Sequence, residues 1–381
     1  MWIGFTILFA VLCIAYCLLI IQYWSWFGRL KPFTGITAAN PVCKFSIVIP
    51  ARNEATNIAA CIESIYNNNY PAGHFEVIVV NDFSTDSTPD VVGELQKKFA
   101  SLRLLSLNDI VHNPINAYKK KAIETAIARS ANDWIITTDA DCTVPATWLT
   151  TYDNFIQSSG SVFVAAPVKF KHTGTLLSLF QSLDFISLQG IAAASVSAGF
   201  HSMCNGANLA YSKSVFNEVN GFKDVDAIAS GDDMLLMQKI KQHYPGSIGY
   251  LFSSQVTVAT QPEKTWKDFF NQRIRWASKA TSYNDRSIFM VLLLVYVFNL
   301  SFLVLLAATI AKAALIKLLI AGLLLKICCE LLFLFPVARF FGNQKLLYGF
   351  PLLQPVHIVY TVIAGWLGKF GTYQWKGRSV K

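Results

Sequence analysis

Long uncharged apolar stretches lie at both ends of this chain and enclose a more polar middle. The first runs from Trp2 to Ile21, and a helix needs about 20 consecutive apolar residues to cross a bilayer core. Only 14% of the 381 residues are charged, whereas soluble domains average about 25%. We therefore expect a membrane protein whose apolar ends hold one soluble block at the bilayer.

The first stretch is expected to remain as an anchor, residues 1–28, rather than to be cleaved as a signal peptide. No Lys or Arg precedes it, and no small-x-small cleavage site follows it. This pattern predicts an N-terminus outside the cell and a cytoplasmic chain after Arg29. The aromatic and basic residues that follow the stretch are typical of a cytoplasmic membrane boundary: Tyr23, Trp24, Trp26, Phe27, Arg29 and Lys31.

Three more apolar segments occupy the predicted transmembrane or interfacial region 287–369: Ile288 to Ile310, Ala313 to Val337, and Leu346 to Leu367. Lys326 and Glu330 are four residues apart, so they share a helix face and can pair. We interpret them as part of a tilted helix or of a face turned toward other helices. Pro351 and Pro355 interrupt the last segment, which is expected to span the bilayer, re-enter it or lie at its surface.

The charge balance and the cysteines restrict the partners and the compartment. A net charge of +9 suits a chain held against an anionic inner leaflet. Because the positive charge is dispersed and no reading module is visible, nucleic acid is not an expected partner. Eight cysteines without metal-ligand spacing favour a reduced compartment and no structural zinc. We expect a multi-pass protein of the cell (inner) membrane, with the soluble block and a basic tail, residues 370–381, in the cytoplasm.

The soluble block, residues 44–285, alternates short apolar strands with amphipathic helices. Such alternation builds an α/β fold with a parallel sheet, and ligands bind beyond the carboxyl ends of its strands. Asn53, Asp82 and Asp139 follow three of these ends, which predicts a site there. The predicted strands run from Phe45 to Pro50, Phe75 to Val80, Leu102 to Leu107 and Trp134 to Thr138.

Asp139 and Asp141 follow the fourth predicted strand, in the run TTDADC. Residues two apart at a strand end project to the same side, so both carboxylates can face one ligand. A hard divalent cation prefers such oxygen ligands together with substrate phosphates. Two acids beside an apolar strand are poorly explained as solvated charge. The pair predicts a site for Mg or Mn, although so short a motif is common.

Polar turns follow the first two strands. Asn53 and Glu54 lie between a strand and a helix start, and Asp82 begins the run DFSTDST. A carboxylate at Asp82 can accept a hydrogen bond from a nucleobase or a ribose. Residues of these types also cap helices, and that alternative stays open for both turns.

Two further clusters lie later in the chain. Asp232 and Asp233, in SGDDMLL, either favour a helix N-terminus through its dipole or supply a general base. Gln272, Arg275 and Trp276 lie in a predicted amphipathic helix. That helix is either an interfacial one with basic residues at lipid headgroups or a cationic clamp for a leaving diphosphate with an aromatic wall.

In this order the motifs resemble those of processive and lipid-linked members of glycosyltransferase family 2, whose fold is the inverting GT-A fold. The resemblance covers residues 45–276 and includes Lys119-Lys120, similar to a lysine on the nucleotide side. It also includes the run from Cys204 to Lys213, similar to a loop near the acceptor. It implies a Rossmann-like nucleotide-sugar-binding domain flanked by transmembrane helices.

The resemblance also implies roles for individual residues. Asp82 would contact the nucleobase, Asp139 would lie near the ribose and the metal, and Asp141 would ligate the metal. Asp233 matches the catalytic base by register, and the chain departs from the family at Asp232, where members usually carry Glu. The other implied substrate-binding residues are Asn53, Glu54, Lys120, Gly206, Asn208, Gln272, Arg275 and Trp276.

The expected function is metal-dependent hexosyl transfer from a nucleotide-sugar, foremost a UDP-sugar, to a lipid or membrane-associated glycan. The segment from Leu176 to Leu188 is either an interfacial helix that guides a lipid acceptor or a core helix. The alternatives are a processive polysaccharide synthase, a nucleotidyltransferase and a catalytically idle nucleotide-binding membrane scaffold.

Overall fold

The computed structural model describes residues 2–35, 41–281, 285–371, 373–375 and 378–380. Part of the predicted basic tail, including Lys376 and Lys381, lies outside them. The described helices are α1 Trp2–Gly28, α2 Ile58–Tyr66, α3 Thr88–Gln96, α4 Tyr118–Arg129, α5 Trp148–Ser159, α6 Leu176–Ser197, α7 Lys213–Glu218, α8 Met234–His243, α9 Trp266–Ala277, α10 Arg286–Ala311, α11 Ile316–Phe340 and α12 Phe350–Phe370.

The described strands form one large sheet and two small ones. The strands are β1 Phe45–Ala51, β2 Phe75–Asn81, β3 Leu102–Ser106, β4 Trp134–Thr137, β5 Phe163–Ala165, β6 Val168–Phe170, β7 Leu209–Ser212, β8 Ile248–Tyr250, β9 Val258–Thr260, β10 Tyr373–Trp375 and β11 Arg378–Val380. The two small sheets are a parallel pair, β6 with β9, and an antiparallel pair, β10 with β11.

The large sheet has the strand order β3-β2-β1-β4-β7-β5-β8. Its first four strands are parallel, as predicted, and begin at the predicted residues. Strand β2 is buried along its whole length because its apolar run is covered on both faces. The parallel arrangement does not continue beyond β4, since the unpredicted strand β7 runs antiparallel to β4 and β5. The predicted α/β fold class is confirmed.

Helices α1, α10, α11 and α12 form a bundle that turns large apolar side chains outward. Ile7, Leu306, Leu324 and Trp366 are examples from the four helices, all of them exposed. Each helix is long and apolar enough to cross a membrane. Such wide apolar faces on helices of this length are expected where hydrocarbon is the solvent.

Helix α6 is a fifth helix of sufficient length and apolar character, but most of it is buried within the protein. It packs against α1, α11 and β6. The predicted segment from Leu176 to Leu188 and the small residues after it thus form one helix. Its burial favours the core-helix interpretation of that segment over the interfacial one.

Polar side chains inside the bundle satisfy one another. The Lys326 ammonium lies 2.6 Å from Glu330 Oε1 and 2.6 Å from Gln354 Oε1, and it is fully buried. Gln354 Nε2 donates to Glu330 Oε2 at 2.7 Å, and the Tyr16 hydroxyl also donates to Glu330. The Lys326–Glu330 pair therefore faces α1 and α12, which is one of the two arrangements expected from the sequence.

Helix α12 is continuous across both of its prolines. Pro351 lies in the first turn, where the N–H has no partner within the helix. Pro355 removes one hydrogen bond without ending the helix. Its 21 residues extend over about 32 Å at 1.5 Å per residue, which is enough to span a bilayer core of about 30 Å.

Gly190 sets the close approach of α6 to α11, and its replacement by Ala is expected to destabilise the protein. A Cβ there would lie 2.6 Å from Val337 Cγ2 and 3.0 Å from Phe333 Cζ. Val337 is buried and stiff at χ1, so overpacking should cost about 1–3 kcal/mol. Gly93→Ala is the matched control, because nothing lies near its Cβ. The melting temperature in detergent measures the effect. If Gly190→Ala melted at the same temperature as the wild type and Gly93→Ala, this expectation would be wrong.

Candidate active site

The loops after β1 and β2 meet at the carboxyl edge of the sheet. Ala51 and Asn81 are paired in register, and the Asp82 N–H donates to the Ala51 carbonyl at 2.8 Å. Arg52 Nη1 donates to the carbonyls of Asp82 at 2.9 Å and Phe83 at 2.8 Å. Asp82 is 3% exposed. Because β4 is the other parallel neighbour of β1, Asp82 lies at the same sheet edge as the Asp139 loop.

A single lysine joins the two acidic motifs. Lys119 Nζ, at the start of α4, lies 2.8 Å from Asp139 Oδ1 and 3.2 Å from Asp232 Oδ2. Gly206 packs directly against this group, since a Cβ there would lie 3.1 Å from Asp232 Oδ2 and 3.4 Å from Lys119 Nζ. The fold thus brings the Asp-x-Asp motif, the Asp-Asp motif and the predicted acceptor loop together. We call this group, built around Lys119, Asp139, Asp232 and Gly206, the acidic centre.

Electrostatics keep this centre charged. Burial lowers the pKa of Lys119, but Asp139 and Asp232 outweigh it and raise the pKa above its ordinary value. Burial raises the pKa of Asp232, but the ammonium groups of Lys119 and Lys279 outweigh it and hold the pKa below its ordinary value. Asp232 is therefore a carboxylate at neutral pH, with little tendency to take up a proton.

Asp233 is the N-cap of α8. Its Oδ1 accepts from the Met234 N–H at 2.7 Å, and its Oδ2 accepts from the Gly206 N–H at 3.1 Å. The motif therefore does begin a helix, as one of its two interpretations predicted, and the role of general base remains a separate question. The same contacts fix the Asp233 carboxylate beside Asp232 and the Gly206 loop, where a substrate hydroxyl could reach it.

Asp141 extends the centre toward β9, where the Thr260 hydroxyl donates to its Oδ2 at 3.0 Å. The Asp139 side chain is 38% exposed and so accessible to a ligand. Among the described residues, no group of three His, Cys, Asp or Glu side chains is placed to hold a metal ion. Two carboxylates with substrate phosphates are nevertheless what Mg²⁺ commonly uses. The donor set therefore fits a hard divalent cation that arrives with its substrate.

The Gln-x-x-Arg-Trp residues lie on α9. Gln272 Nε2 donates to Glu263 Oε1 at 2.9 Å, and the Trp276 ring lies 6.1 Å from that of Phe185. Arg275 is partly exposed on this helix.

Lys279, four residues after Arg275, was not predicted as a site residue. Burial lowers its pKa, as does the charge of Arg275, whereas Asp233 acts in the opposite direction. Its Cδ would lie 3.4 Å from a Cβ on Gly231. Lys279 therefore belongs to the acidic centre, and its helical spacing from Arg275 was the only signal in the sequence.

Two predicted substrate-binding residues point away from the centre, which corrects their placement. Lys120 Nζ donates to the carbonyls of Val225 at 2.6 Å and Ile228 at 2.8 Å. The Asn208 side chain is fully buried, and its two donor and two acceptor positions are all used within the core. Its partners are the carbonyls of Pro167 and Val256 and the side chains of Trp148 and Tyr152.

Asn53 and Glu54, in the loop after β1, hydrogen-bond to residues that follow β2. Asn53 has a φ of 54°, and its Oδ1 accepts from the Thr85 N–H at 2.8 Å. The Glu54 N–H donates to Thr88 Oγ1 at 2.8 Å, and its carboxylate accepts from Asn57 Nδ2 at 2.7 Å. These contacts favour the turn interpretation and place both residues beside Asp82.

Comparison with known proteins identifies the family. The model of "Glycosyl transferase family 2" matches residues 46–219, and that of "Glycosyl transferase family group 2" matches residues 134–364. The second match covers more than half of the chain and includes the carboxylates of the acidic centre, α9, α10, α11 and most of α12. The chain belongs to this group of family 2 glycosyltransferases.

Individual relatives agree with this assignment. "Probable glycosyltransferase YdaM" of Bacillus subtilis is 30% identical over 243 residues, 61% of this chain and 54% of that protein. The chain thus spans about half the length of that relative. A "Beta-monoglucosyldiacylglycerol synthase" of Nostoc sp. is 40% identical over 60 residues, 16% of this chain and 13% of that protein. The mannosyltransferase PcManGT from Pyrobaculum calidifontis, solved with GDP-Man and Mn²⁺, has the same fold. Its TM-score is 0.63 at 18% identity, over 95% of this chain and 98% of that one.

The buried position of Lys120 predicts a pH-dependent contribution to stability. Burial lowers the pKa of Lys120 to about 8, whereas an unfolded lysine titrates near about 10.4. Between these values the unfolded chain binds more protons, so this group makes the free energy of unfolding rise with pH.

Melting temperatures in detergent from pH 7 to 10 test this expectation. The wild type should gain stability relative to Lys120→Met above about pH 8, since the variant lacks the titrating group. The exposed Lys97→Met is the control and should track the wild type at every pH. A constant difference between the wild type and Lys120→Met would contradict the assigned environment.

Proposed function

We propose that this chain is an inverting glycosyltransferase that moves a sugar from a nucleotide-sugar to a lipid or membrane-associated glycan. The single observation that carries the proposal is the Lys119 ammonium shared by Asp139 and Asp232. It brings the Asp-x-Asp motif and the Asp-Asp motif to one sheet edge, where α/β folds bind nucleotides. A capping role for each motif alone would not require this convergence.

The donor would lie across the carboxyl edge of the sheet. Asp82 would contact the nucleobase, and Lys119 would take the phosphate-side role that the resemblance implied for Lys120. Asp139 and Asp141 would hold a divalent cation, Mg²⁺ or Mn²⁺. When bound, this cation offsets the charge that builds on the departing diphosphate. Arg275 and Lys279 supply further positive charge on the same side.

Asp233 is the proposed general base, and Asp232 a positioning residue. Asp232 is paired with a cation that lowers its pKa, so it accepts a proton less readily. The Asp233 carboxylate accepts hydrogen bonds from the backbone N–H groups of Gly206 and Met234. As the acceptor hydroxyl attacks the anomeric carbon, Asp233 takes its proton from the face opposite the diphosphate. A single displacement of this kind inverts the anomeric configuration.

A lipid is the proposed acceptor, and a UDP-sugar the foremost donor. Lys279 of the centre lies in the turn directly after α9, and both that turn and α9 pack against membrane helix α12, so an acceptor held in the bilayer could reach the centre. The monoglucosyldiacylglycerol named for the Nostoc relative is a glycolipid, which supports this choice. A cytoplasmic catalytic domain at the inner membrane agrees with the basic flank after α1. A polysaccharide synthase is the second candidate, favoured by the Gln-x-x-Arg-Trp motif.

Replacing the base should separate chemistry from binding. Asp233→Asn is expected to lower turnover by about 10²–10⁴-fold, because general-base assistance is lost, while nucleotide affinity stays near that of the wild type. Asp232→Asn should instead weaken donor binding, since it releases Lys119. Release of nucleoside diphosphate with UDP-sugars, with and without acceptor lipid, measures both effects. Near-normal turnover in Asp233→Asn would reject it as the base, and no release by the wild type from any donor would favour an idle scaffold.

Metal removal tests the cation-binding residues. In the wild type, UDP should raise the melting temperature more with Mn²⁺ or Mg²⁺ than with EDTA, because ligand that binds only the folded state stabilises it. Asp141→Ala should abolish this metal-dependent increment. Asp90→Ala, an acidic residue in the first turn of α3, is the control and should leave it unchanged. An increment that survives in Asp141→Ala would exclude Asp141 as a ligand.

A further inference from the structure

A buried ion pair joins α9 to α6 outside the acidic centre. Arg273 Nη2 lies 2.6 Å from Asp184 Oδ2, and the two side chains are 4% and 3% exposed. Arg273 is the residue directly after Gln272 and has no part in the roles assigned above. Burying two charges is expensive, and an apolar pair of similar size would often stabilise a fold as well. Stability alone therefore explains this pair poorly.

One member of the pair, Arg273, contacts Trp276. Its guanidinium lies 4.2 Å from the centre of the Trp276 ring, in cation–π contact. On α6, Phe185, the residue after Asp184, has its ring centroid 6.1 Å from that of Trp276. Arg273 Nη1 also donates to Gln272 Oε1 at 3.3 Å. Arg273 thus contacts two of the three residues of the Gln-x-x-Arg-Trp motif, and Asp184 holds Arg273 in place.

A membrane helix completes the arrangement. The Tyr360 hydroxyl, from α12, donates to Asp184 Oδ1. The Tyr360 ring packs edge-on against Phe269 of α9 at 5.4 Å between centroids and against Phe180 of α6 at 5.5 Å. Three elements therefore meet at one carboxylate, and one of them belongs to the transmembrane bundle.

We propose that Arg273, Asp184 and Tyr360 form a positioning unit that fixes Trp276 for acceptor binding and makes this binding depend on membrane helix α12. The inference rests on the proposed function and adds to it that Trp276 lines the acceptor side of the site. The planar Arg273 guanidinium suits this task, since it pairs with Asp184 and stacks on Trp276 at once. Apart from Arg275, the proposed donor contacts lie on other elements, so acceptor binding should depend on the unit more than donor binding does.

Tyr360→Phe is the mildest test, because it removes one hydroxyl and keeps the ring. Its matched control is Tyr16→Phe, which removes a hydroxyl that donates to Glu330 within the bundle, away from α9. With the full chain in lipid nanodiscs, Tyr360→Phe should raise the acceptor KM at least about fivefold, as expected for loss of a hydrogen bond to a charged group. The donor KM should stay within about twofold, and Tyr16→Phe should change neither.

Two stronger variants use the same readout. Arg273→Lys keeps the positive charge but loses the planar guanidinium and its stacking on Trp276. Asp184→Asn removes the negative charge of the carboxylate. Asp153→Asn is the control for loss of a buried carboxylate elsewhere, since Asp153 accepts from the Cys43 N–H and Gln157 far from α9. If folded Tyr360→Phe and Arg273→Lys keep the wild-type acceptor KM, or lose donor and acceptor affinity equally, the positioning unit is rejected.

A measurement without turnover separates this inference from the proposed function. Fluorine NMR of the fluorotryptophan-labelled chain can follow the Trp276 signal, assigned with Trp276→Phe. The signal should shift or broaden in Tyr360→Phe and stay unchanged in Tyr16→Phe. Absence of all transfer by the wild type would overturn the proposed function, and an unchanged Trp276 signal would overturn the positioning unit.

Discussion

The Lys119 ammonium is the interaction on which the candidate site depends. Asp139, Asp232 and Asp233 carry like charges in a confined space, and without a central cation their repulsion would push the loops that carry them apart. Lys119 offsets this repulsion and connects α4, the loop after β4 and the start of α8 through one group. Gly206 allows the close packing because it has no Cβ. The diphosphate of a nucleotide-sugar would enter a site whose charged groups are held in place before it binds.

Sequence patterns were sufficient for the features that depend on local chemistry. The apolar runs marked where the first four strands begin, and length with composition marked the membrane helices. The acidic clusters fell at the sheet edge because carboxyl ends of neighbouring parallel strands lie together. Features set by tertiary contacts were not predictable. The direction of β7 depends on its partners, and Asn208 is in the core because four distant groups use its amide.

Lys119 and Lys120 show that an error of one residue in helix register can misplace a predicted site residue. Adjacent residues on a helix point about 100° apart, so two lysines in sequence cannot share an environment. The sequence gives no register for α4 relative to the loops that cover it, and the residue matched by resemblance was the one turned toward Val225. Helix α6 poses the same problem at larger scale. A protein core and a bilayer both select apolar residues, so composition alone does not tell a buried helix from a spanning one.

The polar cluster within the bundle bears on how the protein is made. Lys326 and Glu330 lie on α11, but the amide that completes their hydrogen bonds belongs to Gln354, which is synthesised later. Until α12 arrives, a buried ion pair is left partly unsatisfied in hydrocarbon, which is costly. An α11 that enters the membrane before its successor would therefore carry an incompletely solvated ion pair until α12 packs against it.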